Sequence, residues 1–190
     1  MPGVVATRDT LLVGFLSGPG HDLGVEPIAT TPGGVDIAAW IFKARPDMWD
    51  IADWLGSGEP IGSWRLADGP RVGLLAPGQR CFLWVTGPAG ARTTPGIWAW
   101  GTVTGPVFDQ AGDLDDPRWT DRDAQLQERP FVPIELTVLA EPIPRVELRA
   151  DPRFAGCEIL RAPRVGNPVV VSPDELAVLD EWLHGTGPDE

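Results

Sequence analysis

Glycine and proline constrain this chain more than any other feature: 23 glycines and 21 prolines make up more than a fifth of its 190 residues. Both residue types interrupt helices and mark turns, so the apolar segments between them have room for short strands and few long helices. With 43% hydrophobic and 22% charged residues the chain still carries enough apolar side chain for a packed core, which excludes a disordered chain. One β-rich globular domain is the implied class.

Periodicity places the elements. Residues 37–43 are an apolar run of strand length, stopped by Arg45-Pro46. Asp50 and Asp53 stand in capping-box spacing ahead of a short helix with Ile51, Trp54 and Leu55 on its buried face, ended by Gly56-Ser57-Gly58. Residues 61–66 and 71–75 read as brief extended pieces. Residues 80–86 alternate Cys81, Leu83 and Val85 with Phe82, Trp84 and Thr86, as a strand does, and residues 96–103 are its antiparallel partner. Gly101 in that partner marks a bend or a close backbone approach.

Residues 109–129 are polar and acidic and read as a loop over the surface. Residues 131–139 form another strand, with Pro133 at an edge or bulge. Ser172-Pro173-Asp174-Glu175 opens the clearest helix, striped by Leu176, Leu179 and Leu183 and closed by Gly185. Five or six strands with two or three short helices describe a small mixed barrel of the α+β class. Residues 1–35 read as an irregular N-terminal extension with a candidate strand at residues 10–16, residues 36–185 as the domain, and residues 186–190 as a tail.

Formal net charge is -12, which at face value disfavours phosphate. The acidity is unevenly spread, however. Residues 36–107 hold six basic and six acidic side chains, whereas residues 108–190 hold eight basic against 18 acidic. Cys81 and Cys157 lack metal-ligand spacing, and with only His21 and His184 beside them they read as reduced, buried thiols. No apolar run reaches the ~20 residues of a membrane span, so the reading is a soluble cytoplasmic protein without a membrane partner.

The usual catalytic constellations do not occur. The sequence has no GxSxG elbow, no GxxxxGK[ST] or GxGxxG phosphate loop, and a single lysine, Lys43. No catalytic residue, metal ligand or cofactor is therefore assigned, and Asp113-Leu114-Asp115-Asp116 reads as a solvated loop in preference to a metal site. The unusual feature is nine tryptophans with no tyrosine. Trp40, Trp54 and Trp182 fit core positions. Trp64 and Trp119 fall outside the apolar pattern and are candidates for stacking on a planar ligand, worth ~1–3 kcal/mol per base. The alternative for each is a side chain that covers the barrel.

Taken in order, Trp40-Ile41-Phe42-Lys43-Ala44-Arg45-Pro46, Trp49-Asp50-Ile51, Gly62-Ser63-Trp64, Pro77-Gly78-Gln79-Arg80-Cys81-Phe82-Leu83-Trp84 and Gly96-Ile97-Trp98-Ala99-Trp100-Gly101 resemble the EVE domain pattern. Asp151-Pro152-Arg153-Phe154, Ile159-Leu160-Arg161 and Ser172-Pro173-Asp174-Glu175 resemble the tail of many bacterial EVE proteins, so the likeness spans residues 36–184. It implies a PUA-like barrel related to YTH and ASCH domains, whose better understood members flip a modified base into an aromatic cage. By that resemblance Trp64 matches the first cage wall, flanked by Ser63 and Arg65, and Trp119 a second. Lys43 and Arg45 lie near the mouth to meet phosphate, with Thr86 and Gly87 on the same rim. Gln79 departs from the acidic residue frequent at its position.

The function implied is a non-catalytic module that binds a modified base, cytosine derivatives among the candidates, in DNA or RNA and acts with a separate effector protein. Two alternatives come from other classes: a sensor of a free nucleoside or other small molecule, and a metal-dependent nucleotide hydrolase using Asp113, Asp115 and Asp116.

Overall fold

The computed structural model describes residues 29–185; the strand expected at residues 10–16 lies outside them. In chain order the strands are β1 (Ala29–Thr30), β2 (Asp36–Ile37), β3 (Ala39–Ala44), β4 (Ser63–Arg65), β5 (Arg80–Val85), β6 (Gly96–Val103), β7 (Phe108–Gln110), β8 (Arg129–Pro144) and β9 (Val169–Val171). The helices are α1 (Ile51–Ser57), α2 (Arg122–Leu126), α3 (Arg145–Ala150), α4 (Glu158–Arg161) and α5 (Pro173–Leu183). Among the described residues no helix is long and apolar enough to cross a membrane.

β1 and β2 pair as a small separate ribbon. The main sheet runs β4-β8-β6-β5-β3-β9, with β7 also paired to β8, and curls into a half-barrel of the PUA-like α+β type. Every pairing is antiparallel except β3 with β5, which places Ala39 beside Arg80 and Ala44 beside Val85. The alternation read in residues 80–86 is present, but both faces of β5 are buried. Cys81, Leu83 and Val85 pack with Trp40 and Phe42 in the core inside the curl. Phe82 and Trp84 pack with Ile41, Leu148 and Leu179 in a second core under α5. A strand covered on both sides must be apolar where it is buried, and this one is from Cys81 to Val85.

Two local readings change. Residues 70–74 form a 3-10 turn and not an extended piece. Buried Gln79 explains it: the side chain accepts from Trp40 Nε1 at 2.7 Å and from the Ala76 N–H at 2.8 Å, and donates to the Leu74 carbonyl at 3.0 Å. A carboxylate could not make the last bond, which gives the departure at Gln79 a structural reason. The helix count is also higher than two or three, because α2, α3 and α4 are six residues or shorter and leave no periodic signature. Gly101 does sit at a close approach, where an added Cβ would lie 1.8 Å from the Glu135 carbonyl oxygen. Cys81 and Cys157 are free and buried, and burial pushes both thiols up to about 12.

The curled sheet leaves a seam. β9 pairs only with Ala39 to Ile41 of β3, so the C-terminal half of β3 faces β4 without a ladder. Asn167 fills the gap: its Oδ1 accepts from the Lys43 N–H at 3.1 Å, its Nδ2 donates to the Arg65 carbonyl at 2.9 Å, and its own carbonyl accepts from the Ala67 N–H at 2.9 Å. Asn167→Ala strands one donor and one acceptor in part-buried surroundings and should cost roughly 2–4 kcal/mol in urea unfolding, and Asn167→Asp should also destabilise, because its second oxygen would face the Arg65 carbonyl with no proton to donate.

Candidate functional site

Over this seam lies a cavity of about 1130 Å³. Its walls come from the end of β3, Met48 and Trp49 ahead of α1, Trp54 within it, β4, the acidic segment before α2, and the loop carrying Asn167. The acidic segment does not loop free over the surface as expected for residues 109–129, although Asp113, Leu114 and Asp115 within it are exposed, as a solvated stretch is. It is held against the barrel by backbone bonds: the Asp50 N–H donates to the Arg118 carbonyl at 2.8 Å, and Thr120 and Asp121 both donate to the Met48 carbonyl, at 3.0 and 3.2 Å. Asp121 also caps α2 by accepting from the Ala124 N–H at 2.9 Å.

Trp64 and Trp119 both line this cavity, with Ser63, Arg65, Lys43 and Arg45. Trp64 is only 7% exposed and belongs to the inner core as well. Trp49 meets it edge-on, with ring centroids 5.9 Å apart and planes at 89°, and Trp54 lies 6.2 Å beyond Trp49. Each of these three indole N–H groups has an acceptor: Lys43 O for Trp64 at 3.3 Å, Asp116 Oδ2 for Trp49 at 2.6 Å, and Glu59 O for Trp54 at 2.8 Å. Fixing both ends of an indole this way makes a rigid wall. Trp119 is half-buried, bridged by backbone to Trp49, and packed on Gly112, where a Cβ would come within 2.8 Å of the ring.

Thr86 and Gly87 are not among the lining residues. The Thr86 hydroxyl donates to the Ala44 carbonyl at 2.9 Å, and the Gly87 carbonyl accepts from Arg145 at 2.9 Å, so both are used at the end of β5. Trp49 and Asn167 are lining residues that sequence reasoning did not select, and Asp116 entered it only through the hydrolase alternative. Trp49 stood in a quoted motif without a role, and its partner Asp116 is 67 residues away, beyond the reach of any local pattern.

The lining holds six basic and six acidic side chains, so this face is neutral on a chain of formal charge -12. Most of the cations are committed. Arg118 pairs with Asp53 at 2.6 Å and Glu59 at 2.8 Å, Arg45 with Asp47 at 2.5 Å, and Arg129 with Asp68 at 3.2 Å. Lys43 Nζ donates to the Val165 carbonyl, and burial followed by the nearby Arg45 lowers its pKa. Arg65 lies with Cζ 5.7 Å from the Trp119 ring centre, and burial followed by Arg129 lowers its pKa. The arrangement suits a flat, largely neutral ligand held by rings and a few polar groups. Because Trp64 carries core packing and Trp119 rests on the rim, thermal or urea unfolding should show Trp64→Ala costing about 3–5 kcal/mol and Trp119→Ala clearly less.

Comparison with known proteins agrees with this architecture. The family model described as EVE domain matches residues 38–180. A hypothetical protein from Leishmania major superposes with a TM-score of 0.57 at 15% identity, covering 80% of this chain and 97% of its own. The DUF55 domain of human thymocyte nuclear protein 1 gives 0.51 at 13% identity, covering 76% and 97%. Human THYN1 protein, solved in complex with 5-methylcytosine-containing DNA, gives 0.47 at 14% identity, covering 80% and 99%. No curated protein matches the chain. With the family model spanning most of a half-barrel built as described, the chain belongs to the EVE domain family.

Proposed function

We propose that this protein is a non-catalytic module that takes a modified base of a nucleic acid into the cavity over the β3–β4 seam. The observation that carries the reading is the convergence of Trp64 and Trp119, from distant parts of the chain, on one cavity of about 1130 Å³. That volume lies slightly above the ~300–1,000 Å³ of small-molecule sites, which leaves space for a nucleotide. The Trp64 indole, its N–H already bonded to the Lys43 carbonyl, and the Trp119 ring offer apolar faces, and a methyl group buried against them adds about 0.8 kcal/mol.

Electrostatics narrows the ligand. Extruding a base from a duplex costs a few kcal/mol, which phosphate contacts must offset. Here the lining charges cancel and Arg45, Arg118 and Arg129 are already paired, so the protein is suited to a single strand or a short fragment. The same neutrality supports the free nucleoside as a second ligand class. Lys43 and Arg45 at the mouth, with Ser63 beside Trp64, are the groups we assign to the strand around the base.

Tryptophan fluorescence titrated with modified nucleosides and short oligonucleotides tests the proposal, with 5-methylcytosine as the first base tried. Binding should quench the wild-type protein and weaken by roughly ten- to a hundredfold in Trp119→Ala, the size of one lost stacking contact. Unchanged affinity in that variant, together with Trp64→Phe, would remove the cage reading. A bound oligonucleotide should lose less than about tenfold in affinity between ~50 and ~200 mM salt, against the ~10³–10⁵ of a protein making many phosphate contacts. A steep slope would instead point to a duplex-binding surface elsewhere.

A further inference from the structure

Six cations line the cavity, and five of them are committed or covered. Arg45, Arg118 and Arg129 pair with carboxylates. Lys43 Nζ donates to the Pro163 and Val165 carbonyls. Arg65 lies over the Trp119 ring with Nε and Nη2 buried and without an acceptor in the protein, so that edge is closed to a ligand. Arg164 is the sixth. It is exposed, and among the described residues its guanidinium has no hydrogen bond or ion pair.

The backbone that carries Arg164 is nevertheless fixed. The Val165 N–H donates to the Ala162 carbonyl at 2.7 Å, closing a turn with Pro163 and Arg164 at its two central positions, the first of which proline favours. Lys43 holds the carbonyls on either side of Arg164, and Asn167 ties the end of the same loop to Lys43, Arg65 and Ala67. A cation presented by a rigid turn loses little backbone freedom when it meets an anion. The acidic lining residues lie elsewhere: all but Glu59 stand in residues 113–123. The cavity is thus neutral in sum but not around its rim. The acidic segment repels a phosphate, and the turn with Arg164 attracts one. Residues beyond that turn also wall a second cavity of about 180 Å³, which shares Val165, Gly166 and Asn167 with the first. Open space therefore continues past the side that attracts phosphate.

We propose that Arg164 is the phosphate-binding residue of the cavity, its guanidinium holding a phosphodiester next to the bound base and drawing the strand over residues 162–167, away from the acidic segment. The inference rests on the reading that the cavity accepts a base, and the test separates the two. The neutral nucleoside 5-methyl-2′-deoxycytidine and a trideoxynucleotide with a central 5-methylcytosine are titrated into the wild-type protein, Arg164→Gln and Arg164→Lys. Arg149→Gln, on α3 and outside the cavity lining, controls for the same loss of formal charge. Melting temperatures check the folding of each variant.

Wild type should bind the trinucleotide about tenfold or more tightly than the nucleoside, the size of one charge-assisted contact. Arg164→Gln should lose most of that advantage while its nucleoside affinity stays within about twofold. Its slope of log affinity on log salt should fall by about 0.7, the share of one single-strand phosphate. Arg164→Lys should keep the slope with intermediate affinity, because a lysine retains the charge without the paired donors. Unchanged trinucleotide affinity and slope in folded Arg164→Gln overturns the role of Arg164 and leaves base binding intact. Equal weakening of nucleoside and trinucleotide overturns it too, because the residue then shapes the cavity. An equal loss in Arg149→Gln overturns it by reducing Arg164 to a share of the net charge. Binding of neither ligand by wild type removes the base-binding reading and the inference with it.

Discussion

A sheet that curls without closing must do something with the strand edges it brings together, and here one asparagine does most of it. β3 is paired along its whole length to β5 but only along three residues to β9. Asn167 substitutes for the missing ladder by bonding the backbone of Lys43, Arg65 and Ala67 at once. The Trp64 indole adds a fourth link by donating to the Lys43 carbonyl. Side chains can bridge such a gap without filling it, which is why an open space of about 1130 Å³ lies over this seam and why its floor is rigid.

The acidic segment shows how a chain of formal charge -12 keeps a neutral binding face. Its carboxylates act mainly as local acceptors. Asp116 takes the Trp49 indole N–H and the Arg118 N–H, Asp121 caps α2, and Asp113 takes the Asp115 N–H. Arg118 then ties the segment back to Asp53 and Glu59 near α1. Exposed pairs of this kind contribute little each, but together with the backbone bonds from Asp50, Thr120 and Asp121 they turn a polar stretch into a wall. Trp119 owes its place beside the cavity to that wall.

Fold and function separate here in the usual way. A PUA-like half-barrel sets where a cavity can open, and the side chains around the opening set what enters. Trp64 belongs to both levels. Its ring closes the inner core against Trp49 and also lines the cavity, so the ligand face is as well ordered as the core behind it. Trp119 and Arg65 belong to the second level, resting on each other at the rim.

What the residues determine by themselves is local. Alternation identifies β5 and β6, the Asp50 and Ser172 caps start α1 and α5 where their spacing says, and Gly101 marks a backbone contact that no Cβ would fit. The order of short motifs leads to the EVE family and puts Trp64 and Trp119 outside the ordinary apolar pattern. Tertiary structure decides what depends on partners far away in the chain. It alone assigns Gln79 to Trp40, Trp49 to Asp116 and Asn167 to two strands at once, and it alone turns residues 109–129 into a wall. Periodicity and capping report on neighbours a few residues apart, whereas a seam, a cavity and an unpartnered guanidinium edge exist only once distant segments are packed together.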